Sequence, residues 1–157
     1  MIGTLNSKEI EDVLHQQVMG RIGCHANGVT YVVPVSYAYD GNCLYLHTRE
    51  GLKVDIMRQN PEVCFETDVM DNMANWKSVI GWGRFEELNE PGERVHALQQ
   101  LVDRMLPIIS SETTHLTPNW PFVPADLNEI PGVVYRICLR EKTGRYEKNT
   151  AFLEATY

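Results

Sequence analysis

A mainly β fold, most simply a small antiparallel barrel with flanking helices, is what this sequence predicts, and three observations carry it. Two of the strongest short hairpin signals, Asn27-Gly28 and Asp40-Gly41, join three β-rich runs at about residues 21–26, 30–39 and 42–48. Three further runs, at about 62–69, 76–88 and 133–140, carry strand composition, the last alternating Val133, Tyr135, Ile137 and Leu139 with Val134, Arg136, Cys138 and Arg140. Only three stretches have helical character, and six antiparallel strands with few helices close most simply into a barrel, because closure removes exposed edges.

Each helix has a local reason. Asn6 followed by Glu9 forms a capping box ahead of Ile10, Val13 and Leu14 at helical spacing, which predicts a first helix over about 7–17. A short helix follows the third strand, at about 51–59. Pro91 opens the last helix, over about 91–106, whose stripe of Val95, Leu98, Leu101, Val102 and Met105 reads as core. Residues 107–131 hold five of the eight prolines, two of them bracketing Trp120, so this stretch is an irregular excursion, either a lid or a long connection. No repeat or linker divides the 157 residues, which fit a single domain.

Charge and composition narrow the partners. The net charge is −7 and the 14 Lys and Arg residues are scattered, so neither a nucleic-acid backbone nor an anionic membrane meets an extended basic surface. No apolar stretch approaches the roughly 20 residues of a membrane span, and Met1-Ile2-Gly3-Thr4 lacks the plan of a signal peptide, so a cytoplasmic location is expected. The four cysteines show no C-x-x-C spacing, and three lie in apolar strand-like runs, which predicts packed free thiols. Cys24 and His25 are neighbours in a strand, point to opposite faces and do not share a ligand, so no metal site is expected.

The chemistry concentrates where the third strand meets the short helix. Leu44-Tyr45-Leu46-His47-Thr48 is followed by Arg49-Glu50-Gly51-Leu52-Lys53, which sets an imidazole, a hydroxyl and a cation beside the free N–H groups of a helix N-terminus. Such a corner suits an anion, most simply a phosphate; the same residues also suit an ordinary solvated turn. In the second strand Tyr31, Val33, Val35, Tyr37 and Tyr39 make one face bulky, whereas Pro34, Ser36 and Ala38 leave the other shallow enough for a flat ligand or simply outward-facing. Pro34 donates no ladder hydrogen bond and therefore marks an edge, a bulge or an opening. In the fifth strand Gly81 and Gly83 share one face, permitting a bend or a close approach, with Ser78, Ile80 and Trp82 on the other. No G-x-S-x-G elbow and no activated Cys or Ser favours a self-contained hydrolase.

Tyr31-Val32-Val33-Pro34-Val35-Ser36-Tyr37, the segment Leu44–Thr48 with Gly51-x-Lys53, Asn60-Pro61-Glu62-Val63-Cys64-Phe65, and Lys77-Ser78-Val79 leading to Gly83-Arg84-Phe85-Glu86-Glu87-Leu88 appear in an order and spacing that resembles the flavin mononucleotide (FMN)-binding split barrels related to pyridoxamine 5′-phosphate oxidase. The resemblance spans about residues 20–90 and is greatest to the 5-nitroimidazole-resistance (Nim-type) branch. It implies a six-stranded split barrel in which Thr48 and Lys53, with His47, hold the FMN phosphate, and in which backbone groups of Val33, Pro34, Val35 and Ser36 meet the isoalloxazine ring. Ser78 lies where the oxidase has a glutamine that reaches the flavin from the second subunit, and Trp82 or the Trp120 segment would close an acceptor chamber. It further implies a homodimer with flavin at its interface, and a reduction of a nitro-aromatic or quinone-like acceptor by NAD(P)H. No G-x-G-x-x-G is present, so a nicotinamide donor would visit transiently. A non-catalytic flavin or haem carrier of the same fold is the alternative. The C-terminal Trp and Arg pattern that serves the oxidase's vitamin substrate is absent, so pyridoxamine phosphate oxidation is not implied.

Overall fold

The computed structural model describes residues 1–104, 115–117 and 124–149. Asn6 accepts a hydrogen bond from the Glu9 N–H at 2.9 Å while the Glu9 carboxylate accepts from the Asn6 N–H at 2.8 Å, and this reciprocal cap starts helix α1 (Ser7–Gln16). Ahead of it runs a short strand, β1 (Ile2–Thr4), that the sequence pattern does not announce. The three β-rich runs become β2 (Met19–Ala26), β3 (Val29–Ser36), β4 (Ala38–Tyr39) and β5 (Cys43–Thr48), the second run being broken at Tyr37 so that β3 pairs with β2 and β4 with β5. Asn27 and Gly28 both take positive φ, 51° and 77°, which lets a two-residue loop join Ala26 to its partner Val29.

Helix α2 (Leu52–Gln59) leads into β6 (Glu62–Asn72), three residues longer than expected, and β7 (Asn75–Glu87), of the expected length but shifted by one residue. Helix α3 (Pro91–Asp103) begins at Glu90, whose carboxylate caps the N–H groups of Gly92 and Glu93. Met105 and the Trp120 segment lie outside the described residues. The final strand, β8 (Val133–Glu147), runs well past the expected end because it pairs with three partners, β7, β5 and β1.

All eight strands form one antiparallel sheet in the order β3-β2-β6-β7-β8-β5-β4, with β1 added at β8. Gly81 and Gly83 face inward on β7, and the close-approach reading of this pair holds. A Cβ on Gly81 would come within 2.9 Å of Leu139, and one on Gly83 would meet the Cys138 carbonyl, beside a register shift that leaves Arg140 unpaired. The curled sheet encloses one core, in which Phe65, Tyr37, Ile22 and Leu44 meet Leu14 of α1 and Met57 of α2. Tyr37 packs edge-on to Phe65 at 4.9 Å and donates its hydroxyl to the Leu14 carbonyl at 2.8 Å. A second cluster on the opposite side of β5 and β8 joins Cys43, Tyr45 and Val134 to Leu98 and Leu101 of α3. Among the described residues no helix is long and apolar enough to cross a membrane.

One cysteine expectation is corrected. Cys43 and Cys138 face each other across the β5–β8 ladder, with Cα atoms 3.9 Å apart, and are disulfide-bonded; Cys24 and Cys64 are free. The pair is 95 residues apart in sequence, so register alone brings it together.

The reciprocal cap generates a prediction. Asn6→Ala should lower the unfolding free energy by about 1 kcal/mol, and Asn6→Ser should restore most of it. Denaturant unfolding of the two variants checks this.

Candidate functional site

The sheet does not close. Among the described residues strand β3 pairs only with β2, and although it lies near β5 across the barrel no ladder joins the two. Were the β4–β5 register, Ala38 opposite Tyr45, continued back along β3, Thr48 would face Val35. The strands diverge instead and leave a seam, edged on one side by unpaired backbone of β3. Pro34 sits on this edge strand opposite Arg21, where its missing N–H costs nothing extra if it points to the open side. Alternation puts Val33 and Val35 toward the core and Val32 and Pro34 outward.

Ser36 ends β3 with only 8% of its surface exposed, and its hydroxyl has no hydrogen-bond partner among the described residues. A buried hydroxyl left unpaired is costly, so its position at the end of the open strand marks it as a group awaiting one.

Helix α2 packs on β2 beside the seam. Its cap is Gly51, which offers no side chain, so the first N–H groups of the helix receive no side-chain cap. Lys53 stands in this first turn, half-buried, with no ion pair or hydrogen bond among the described residues. Burial pulls its ammonium below the ordinary lysine value, and the nearby Cys24 thiol offsets only part of that. A desolvated cation, a helix N-terminus and Thr48 at the end of β5 together make an unsatisfied positive corner.

His47 is placed differently from the grouping that sequence order implies. Neighbours in a strand alternate, so Thr48 shares a face with Leu44 and Leu46, whereas His47 shares one with Cys43 and Tyr45, on the side of α3. Its Nε2 lies 2.6 Å from the Pro131 carbonyl oxygen, so that nitrogen carries the proton and donates. Burial, followed by the charges of Arg94, Arg49 and Lys53, lowers its pKa, and only the Pro131 hydrogen bond acts the other way.

Ser78 and Trp82 stand apart from this corner, on the outer face of β7. The Ser78 hydroxyl donates to the Glu66 carboxylate at 3.0 Å, and Glu66 also meets Arg21 at 3.3 Å. Trp82 walls a shallow, mainly apolar concavity of about 340 Å3 with Val32, Gly23 and Cys64, rimmed by the Arg140–Glu62 ion pair. A single chain therefore brings Thr48, Lys53 and the β3 edge to one seam but leaves Ser78 and Trp82 on a separate surface. Residues that sequence reasoning missed are Arg94, Pro131 and Gly132, which pack against His47; the Pro131-Gly132 pair is a turn signal, but nothing local ties it to β5.

An antiparallel barrel left open along one seam is the architecture of the split-barrel flavin-binding proteins. The sequence profile of the pyridoxamine 5′-phosphate oxidase family matches residues 6–146. The chain belongs to that family. An uncharacterized protein of Rhizobium meliloti is 30% identical over 134 residues, covering 83% of this chain and 80% of its own. Among solved structures, a FAD-binding protein of Mesorhizobium loti is 32% identical with a TM-score of 0.72, covering 94% of this chain and 99% of its own. A candidate 5-nitroimidazole antibiotic resistance protein of Bacteroides thetaiotaomicron superposes with a TM-score of 0.67 at 21% identity, covering 93% and 89%, a likeness of fold.

The orphaned hydroxyl supplies a test that needs no ligand. Ser36→Ala removes an unpaired buried group, so the ligand-free protein should be as stable as the wild type or up to about 1 kcal/mol more so. A loss of stability in thermal or urea unfolding would mean that the hydroxyl is already bonded.

Proposed function

We propose that this protein binds FMN along the seam and is a cytoplasmic oxidoreductase that reduces a nitro-aromatic or quinone-like small molecule, with NAD(P)H as transient donor. The observation that carries the reading is Lys53, a half-buried cation without a carboxylate partner among the described residues, beside an uncapped helix N-terminus. Burying an ammonium without an anion is unfavourable, and a terminal phosphate offsets that cost through a charge-assisted hydrogen bond. The residues fit the group. Lys53 and Thr48 would hold the phosphate, with His47 supporting the corner, while the unpaired β3 edge from Val33 to Ser36 would meet the ring and give the Ser36 hydroxyl a partner. The FAD-binding protein of Mesorhizobium loti supports a flavin, and the single compact corner favours one terminal phosphate, hence the mononucleotide.

Held by Lys53, Thr48 and the β3 edge, a flavin would supply the redox chemistry of the site. The chain's own task is to anchor and orient it and to exclude water. In this reading a second copy completes the site. The outer face carrying Val32, 66% exposed, and Ile80, 38% exposed, next to Trp82 and Pro34, is apolar enough to be covered by its equivalent in a homodimer. That contact would bring Ser78 and Trp82 of one subunit toward the seam of the other.

Purified protein should be yellow and release FMN, identified by mass. Lys53→Ala should weaken FMN binding by roughly 10- to 150-fold while changing riboflavin binding little, because riboflavin has no phosphate. Thr48→Val should show the same ligand dependence with a smaller loss. An equal loss for both ligands would assign Lys53 to folding or to the ring, and anaerobic stopped-flow reduction by NADH or NADPH separates an enzyme from a carrier.

Sedimentation at micromolar concentration should find a dimer, and Val32→Glu should shift it toward monomer with loss of flavin. A stable monomer that retains flavin contradicts the shared site.

A further inference from the structure

Three consecutive carbonyls converge on two side chains at the end of β5. Arg94 of α3 donates from Nη2 to the Ile130 oxygen at 2.9 Å and from Nη1 to the Gly132 oxygen at 3.5 Å, and between them the Pro131 oxygen accepts from His47 Nε2 at 2.6 Å. Ile130 is 1% exposed and anchors the preceding turn, Leu127–Glu129, against α3. Gly132 has φ of 100°, and a Cβ there would lie 3.0 Å from His47 Nε2 and 2.6 Å from the Thr48 carbonyl oxygen. The next residue, Val133, is the ladder partner of Thr48. The segment 130–132 is thus fastened from both sides immediately before it pairs with Thr48.

We propose that His47 is a positioning residue that fixes Thr48 by clamping the 130–132 segment onto the end of β5, and that it is not itself a ligand of the anion. The proposal rests on the anion-binding reading of the corner. Geometry supports it twice. The imidazole lies on the opposite face of the strand from Thr48, and its Nε2 proton is already committed to Pro131. The charged groups around it are Arg94 from α3, Arg49 from the turn after β5 and Lys53 from α2, all cationic, so the ring stays neutral and offers no charge to a phosphate. What remains for it is a neutral N–H holding one carbonyl. Glutamine reproduces that donor; leucine does not.

The experiment measures FMN and riboflavin affinity, and thermal protection by inorganic phosphate, across variants of the full chain. His47→Leu should lower the FMN-to-riboflavin affinity ratio about 5- to 10-fold and reduce phosphate protection in step, and Gly132→Ala should do the same by pushing the clamp off from the other side. His47→Gln should keep the ratio within about 2-fold of wild type, with an unchanged dependence of FMN affinity on pH between 5.5 and 8. Should His47→Leu fail to fold, Arg94→Met, which frees the flanking carbonyls, carries the same expectation. The proposal is overturned if His47→Gln loses as much of the ratio as His47→Leu, together with any gain in FMN affinity on acidification, because that behaviour belongs to a cationic ligand. It is also overturned if the leucine variant weakens both flavins equally, which belongs to fold stability alone. If the wild type binds no flavin yet phosphate protection follows the predicted order, the flavin reading falls and the clamp stands.

Discussion

The open seam between β3 and β5 is the constraint on which the rest of this structure depends. A closed barrel satisfies every strand edge, whereas this sheet stops pairing after Ala38–Tyr39 meets β5 and leaves β3 joined to β2 alone. Pro34 suits such an unpaired edge because it lacks an N–H. Three groups of the candidate site lie on elements that flank that gap: the Ser36 hydroxyl, unpartnered among the described residues, the Thr48 strand end and the Lys53 ammonium. A scaffold that keeps one edge open holds polar groups ready without unfolding to do so.

Electrostatics then divide the molecule. Several of its charges are paired at the surface, as in the fork of Arg58 on Glu50 and Glu87 or the bridges of Glu62 to Arg84 and Arg140. Exposed pairs of this kind contribute little to stability. Lys53 is the contrast, a cation withdrawn from water and given no carboxylate among the described residues. The two situations follow from position: Arg58, at the end of α2, reaches acidic side chains around it, whereas Lys53, at the start, faces β2 and the Cys24 thiol.

The fold alone does not select a reaction, because function resides in the particular side chains a fold carries. Here the outer face differs from the seam in kind. It is apolar at Val32, Ile80 and Trp82 and carries its polar atoms in closed pairs such as Ser78 with Glu66. A surface with its hydrogen bonds already made and its apolar groups exposed suits a docking partner better than a small polar ligand, and the proposed second copy would be that partner.

Local signals in the chain determined the local structure. The Asn6–Glu9 cap, the Asn27-Gly28 turn, the alternation of β3 and β7 and the Gly-x-Lys corner were legible because each depends on residues within a few positions of one another. Tertiary structure decided the rest, because register is non-local and shifting it by one residue turns every side chain to the other face. Only the pairing of β8 with three partners explains its length, the union of Cys43 with Cys138 and the arrival of Pro131 at His47. The same alternation separates His47 from Thr48, neighbours in sequence that the folded sheet sends to opposite sides, one to the helix and one to the seam.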